Sequence, residues 1–258
     1  MGAAVCHALV GAPDLELVAA VDPGAAGRPL AEVGGPAGTG LVVAASTDAL
    51  REAGAQAAVD FTVAPAARAN LAFCAAHGIH VVCGTTGLGE DDLAALRRAF
   101  GAASGANCVL AANFSISAVV LMRLCELAAP HFGGVEIVEL HHDNKRDAPS
   151  GTALETARRI ADARAAAGAG ALGADPTTDE VLPGARGGTG PGGIHVHAVR
   201  LPGLVAHEEV LFGAPGQALT IRQDSFDRTS FMPGVLLALR AVAARPGLTL
   251  GLEPLLGL

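Results

Sequence analysis

The chain has 258 residues, with no tryptophan, no tyrosine and only eight phenylalanines. Its formal net charge is −8, so it lacks both the basic surface and the stacking side chains that nucleic-acid binding uses. No apolar run is long enough to span a bilayer, because the longest candidate, around AVVLM, is cut by Arg123 and Glu126. The opening MGAAVCHALVGA is apolar without a basic lead, and Cys6 stands where a myristoylation signal has Ser or Thr. No targeting signal or membrane partner is expected, and a soluble, cytoplasmic protein is. The cysteines (Cys6, Cys74, Cys83, Cys108, Cys125) are odd in number and never spaced as CxxC, which favours reduced thiols over a disulfide framework or a zinc cluster. Lysine is almost missing too: Lys145 is the only one among 17 basic side chains, and the rest are arginine.

What is present is apolar residue at 51%, ample for a buried core. Through residue 112, short strand-like runs (LELVAAVD, AAVDFTV, IHVVCGTTG, NCVLAANFS) alternate with helical stretches at 2–10, 65–77 and EDDLAALRRAF. That rhythm predicts a doubly wound parallel α/β sheet whose strands end in small or polar residues around a ligand crevice. Beyond residue 113 come a helix (SAVVLMRLCELAA), a strand (VEIVELHH), a loop holding Lys145, and a long helix from about Ser150. The Gly-rich stretch 165–193 reads as loop, and 194–223 as an antiparallel meander. The expected domains are 1–112 with 225–258 for dinucleotide binding, the final helix packing back on the first domain, and 113–224, an α+β substrate-binding and oligomerisation domain with a mixed open sheet.

Gly2 opens a helix and Asp22 follows 20 residues later, the spacing between a dinucleotide fingerprint and the acid that holds the adenosine ribose. A strand and a Gly-rich turn are therefore expected upstream of Gly2. Asp22 can equally be a residue that caps a strand.

In HHDNKRDAPSGTA, residues 141–153, Lys145 lies between a strand ending at His141 and His142 and a helix start. An ammonium is a compact, titratable charge with movable donors, whereas guanidinium holds its proton. A lysine that arginine does not replace points to proton donation or close charge contact. Thr152 with Glu155 has capping-box spacing, and Ser150 can cap as well. Either way, free N–H groups and a positive dipole end face the loop, which suits a carboxylate or phosphate. The two histidines point to opposite faces if the strand persists, so one at most acts as an acid, and a histidine pair there can also be hydrogen-bonded structure. Asp143 and Asp147 stand at no clear ligand spacing, so no metal is expected.

These segments, with VDFT (59–62), CGTTG (83–87), AANFSI (111–116) and HAVRLPGLVAHEEVLFG (197–213), resemble the 4-hydroxy-tetrahydrodipicolinate reductase family, also called dihydrodipicolinate reductase. The resemblance runs in order from Gly2 to the C-terminus, without the family's first strand and most of its phosphate loop. It implies a cytoplasmic homotetramer of lysine and diaminopimelate biosynthesis that uses NADH or NADPH on a small cyclic dicarboxylate, with a Rossmann-type domain and a mixed α/β substrate domain. It implies His141 as general acid/base, Lys145 as proton donor, His142 as a substrate contact, and Ser150, Gly151 and Thr152 around a substrate carboxylate. Gly84, Thr85, Thr86, Ala111, Ala112, Asn113 and Phe114 would line the cofactor, with Asp22 on the ribose and hinges near Asn113 and Ser225. Pro23 stands where an arginine for the NADP 2′-phosphate can sit. The alternatives are another two-domain NAD(P) oxidoreductase, or a non-catalytic dinucleotide-binding sensor.

Overall fold

The computed structural model describes residues 1–258. In chain order the elements begin with α1 (Gly2–Val10), α2 (Asp48–Glu52), β1 (Ala57–Asp60), α3 (Ala64–Ala76), β2 (His80–Cys83), α4 (Glu90–Ala99) and β3 (Cys108–Leu110). There follow α5 (Ile116–Ala128), β4 (Gly134–His141), α6 (Gly151–Ala166), β5 (Gly188–Thr189), β6 (His195–Arg200), β7 (Ala206–Ala214) and β8 (Gln217–Ser225). The chain closes with α7 (Met232–Val242), β9 (Leu248–Leu250) and α8 (Glu253–Leu256). It divides into two compact units, Met1–Ile116 with Arg228–Leu258, and Ser117–Asp227.

In the first unit four parallel strands lie in the order β1-β2-β3-β9. Their residues are near-continuously apolar because helices cover both faces. Val81, Cys83, Cys108 and Leu110 pack with Leu71 and Cys74 of α3, while α7 packs on β2 and β3. The shared register aligns Asp60, Cys83, Leu110 and Leu250, so the segments that follow these strands leave from one edge. The stretch 15–22, expected as a strand, is not one. It makes a single bridge, Val21 to Ala44, and joins no sheet, and an apolar alternation is no strand without a partner's ladder of hydrogen bonds.

The second unit is a mixed sheet in the order β5-β6-β4-β7-β8. The expected meander is wrong at one joint: β6 does not pair with β7, because β4 lies between them, parallel to β6 and antiparallel to β7. The α6 crossover between β4 and β6 permits that parallel pairing, which a short turn does not. Side chains alternate across β4, so Val135, Ile137, Glu139 and His141 share one face with Val196 and Arg200 of β6 and with Phe212, Val210 and Glu208 of β7. The first rows of that face are buried against Met122 and Cys125 of α5 and Ala157 and Ile160 of α6. Its last rows turn polar. The opposite face carries Glu136, Val138, Glu209, Leu211 and Arg222, and Leu211 is 38% exposed.

Candidate active site

The polar end of the helix-covered face is where the lysine loop emerges. Glu139, fully buried on β4, is the hub. Its Oε2 accepts the hydrogen bond of His141 Nδ1 at 2.6 Å, and Arg200 of β6 donates to both carboxylate oxygens at 2.7 Å each. Its Oε1 also accepts from the Ser150 backbone N–H at 3.0 Å. Burial alone would raise this carboxyl, but Arg200, His141 and the Ser150 N–H outweigh it and hold it below the usual carboxylate range. Glu139 is therefore an anion that accepts only, so the proton in its bond to His141 sits on Nδ1. Burial depresses His141, assisted by the nearby Lys145 and Arg200 charges, and the Glu139 carboxylate offsets only part of this.

Ser150 begins α6 as its N-cap: its hydroxyl accepts from the Ala153 N–H at 3.2 Å. The capping box expected between Thr152 and Glu155 is not formed, because Thr152 lies inside the helix at its second position, and Glu155 pairs instead with Arg158 and Arg159. Glu139, reaching from the sheet, takes the place that a helix Glu would have on the N-cap N–H. Gly151 and Thr152 occupy the first helical positions, whose N–H groups have no partner within a helix. Lys145 donates to both oxygens of Asp147, at 2.8 and 2.9 Å, and Arg200 donates to the Asp147 carbonyl at 2.7 Å. Arg200 thus ties the lysine loop to the carboxylate that holds His141. The strand ends at His141, so His142 lies outside it, exposed. No group of three His, Cys, Asp or Glu side chains in the chain can hold a metal ion.

Sequence reasoning missed Glu139 and Arg200. A signal existed, an acid two positions before His141 on the same strand face, but only the register of β6 brings Arg200 to it.

In the first unit, residues 84–86 and 111–113 leave the shared sheet edge. A Cβ on Gly84 would lie 2.0 Å from the Phe61 ring, so only glycine allows that approach. Thr85 is buried and donates to Asp60 Oδ1 at 2.7 Å, while Thr86 and Ala112 are exposed. Ala111 is buried, and Asn113 Oδ1 accepts the Ser115 N–H at 2.8 Å. Phe114 is buried in edge-to-face contact with Phe61, with ring centroids 5.5 Å apart. Asp22 is exposed, accepts the Gly24 N–H at 2.9 Å, and stands beside the Val21 bridge rather than on the four-stranded sheet.

The family model for the N-terminal part of dihydrodipicolinate reductase matches residues 1–114, and the model for its C-terminal part matches 117–256. The chain belongs to the dihydrodipicolinate reductase family. Its relatives in that family include the 4-hydroxy-tetrahydrodipicolinate reductase of Corynebacterium aurimucosum, 48% identical over 258 residues, covering 100% of this chain and 95% of that one. The enzyme of the same name from Nocardia farcinica is also 48% identical, with the same coverage. Among solved structures, the dipicolinate-bound dihydrodipicolinate reductase of Paenisporosarcina sp. TG-14 superposes with a TM-score of 0.84 at 37% identity, covering 97% of this chain and 93% of that one.

Proposed function

We propose that this chain catalyses the NAD(P)H-dependent reduction of 4-hydroxy-tetrahydrodipicolinate to tetrahydrodipicolinate with loss of water, a step of lysine and diaminopimelate biosynthesis. The observation that carries the proposal is the gathering of His141, Lys145 and the first turn of α6 at the polar end of one sheet face. That group answers a cyclic dicarboxylate. The Gly151 and Thr152 N–H groups and the helix dipole receive one carboxylate, with the Ser150 hydroxyl beside them. Lys145 supplies a cation and a proton, and the substrate competes with Asp147 for it. His142, exposed next to them, is a further substrate contact, and His141 handles a second proton.

The first sheet's edge fits a dinucleotide, with small residues at Gly84, Ala111 and Ala112 where the strands end. A nicotinamide held there would supply hydride-transfer chemistry toward the ring carbon that becomes electrophilic as the 4-hydroxyl departs as water, and Lys145 and His141 are the groups placed to move protons. Gly84, Thr86, Ala112 and Asn113 line this site, while Thr85, Ala111 and Phe114 contribute backbone, since they are buried. The Asp22 carboxylate holds the ribose hydroxyls and repels a 2′-phosphate, and Arg28 only partly offsets that repulsion. The open face of the mixed sheet suits a homotetramer, and the reaction belongs in the cytoplasm.

The test is a coupled assay that generates 4-hydroxy-tetrahydrodipicolinate enzymatically and follows nucleotide oxidation with each cofactor. Turnover with both is expected, with kcat/KM for NADH equal to or above that for NADPH. No turnover with either would refute the activity, and a preference for NADPH of about 100-fold would refute the role of Asp22.

A further inference from the structure

We infer that Glu139 is a positioning residue, locked in place by Arg200, that holds the His141 ring with its proton on Nδ1 and its bare Nε2 toward the substrate. The inference rests on the role proposed for His141.

The geometry leaves Glu139 no freedom. It is fully buried, and its two oxygens accept four hydrogen bonds: two from Arg200, one from His141 and one from the Ser150 N–H. Each donor comes from a different element: Arg200 from β6, Ser150 from the start of α6, and His141 from the same strand two residues on. An ionised carboxylate cannot donate, so the shared proton is His141's own and the other ring nitrogen is left with a lone pair. When the imidazolium loses one of its two protons, Glu139 decides between two neutral tautomers that water would leave mixed, keeping the proton on Nδ1 and baring Nε2.

The charged groups around His141 are Glu139, Arg200 and Lys145, and Ala206 faces it from β7. Glu208, the cross-strand neighbour of Glu139, stays protonated into the neutral range. Glu139 is thus the one anion against the imidazole. The division of labour follows. A neutral His141 with a bare Nε2 receives a proton, and the proton given to the ring comes from Lys145.

Four measurements test this. In ¹⁵N spectra of the histidine-labelled wild-type protein above the His141 titration, the imidazole signal that disappears in His141→Gln should report a proton on Nδ1. A proton on Nε2 would overturn the inference without any variant at position 139. In Glu139→Gln, kcat should fall by about 10²-fold or more, with a smaller change in KM. The anion that favours imidazolium would then be gone, so the acidic limb of kcat/KM, where His141 gains a proton, should move to lower pH by about one unit. Glu139→Asp, which keeps the charge, should leave that limb near its wild-type position. A Glu139→Gln enzyme with an unmoved limb, its loss confined to KM or to melting temperature, would make Glu139 a structural residue only. His141→Gln separates the two readings: if it retains activity, the role of His141 fails, whereas an inactive His141→Gln beside a Glu139→Gln with the wild-type limb overturns the positioning alone.

Discussion

Lys145 is the residue at which composition and geometry meet. The chain makes every other basic side chain an arginine, and the exception sits four residues after His141, with its ammonium on both oxygens of Asp147. Arginine can keep that ion pair, because its planar fork matches a carboxylate, but it cannot release a proton. Lys145→Arg should therefore fold like the wild type and lose about 10² to 10⁴ in kcat. A variant with matched melting temperature and more than half the wild-type kcat would remove Lys145 from proton transfer. Glu139 makes the complementary point. In the sequence it is one acid of an alternating strand; its contact with a helix cap comes from α6, 11 residues on, and its arginine from β6, 61 residues on.

At the scale of elements, the first turn of α6 is assembled from two directions: the Ser150 hydroxyl caps it from within, and Glu139 anchors its first N–H from the sheet. Ser150→Ala removes a buried cap worth about 0.5–2 kcal/mol and should lower the melting temperature by roughly 1–8 °C. Ser150→Thr should restore most of it, and equal melting of wild type and Ser150→Ala would show that the cap contributes nothing. The helices were legible because their signals are local. α4 opens with Glu90, Asp91 and Asp92 and closes with Arg97 and Arg98, α1 and α3 lie where apolar spacing puts them, and α6 starts at the expected Ser150. The strands β1, β2 and β3 were legible for a similar reason, as short apolar runs ending in small or polar residues. What was not legible depends on partners distant in sequence. The stretch 15–22 has the composition of a strand and no ladder, and β6 has the look of a meander strand but reaches β4 after a crossover. The first unit holds a further case: the Asn107 side chain donates to the Val242 and Ala243 carbonyls and accepts the Gly247 N–H, closing the end of α7 from 135 residues away.

For the molecule as a whole, buried ionisable groups set the response to pH. Four of the five thiols are buried, and burial raises all four, Cys74 and Cys83 to about 11, so they remain protonated and unreactive at neutral pH. Glu208 is a carboxyl that burial moves into the neutral range. Burial, more than the neighbouring Glu139 charge, pushes it from the usual 4.5 up to about 7, and its Oε1 has no hydrogen-bond partner. The folded chain therefore keeps a proton that the unfolded chain releases above about 4.5, and the stability this gives is lost as pH rises through about 7. Glu208→Gln cannot titrate. Its melting temperature relative to wild type should climb between pH 5 and pH 8 and then level off, and a difference independent of pH would show that Glu208 is ionised throughout.

The single lysine also gives the molecule a property that most chains lack. A protease that cleaves after lysine has one peptide bond to choose, Lys145–Arg146, and would yield only residues 1–145 and 146–258. That bond lies in the loop pinned by the Asp147–Arg200 contact, so the rate at which two fragments appear becomes a direct clock for how often the proposed proton donor's loop comes loose.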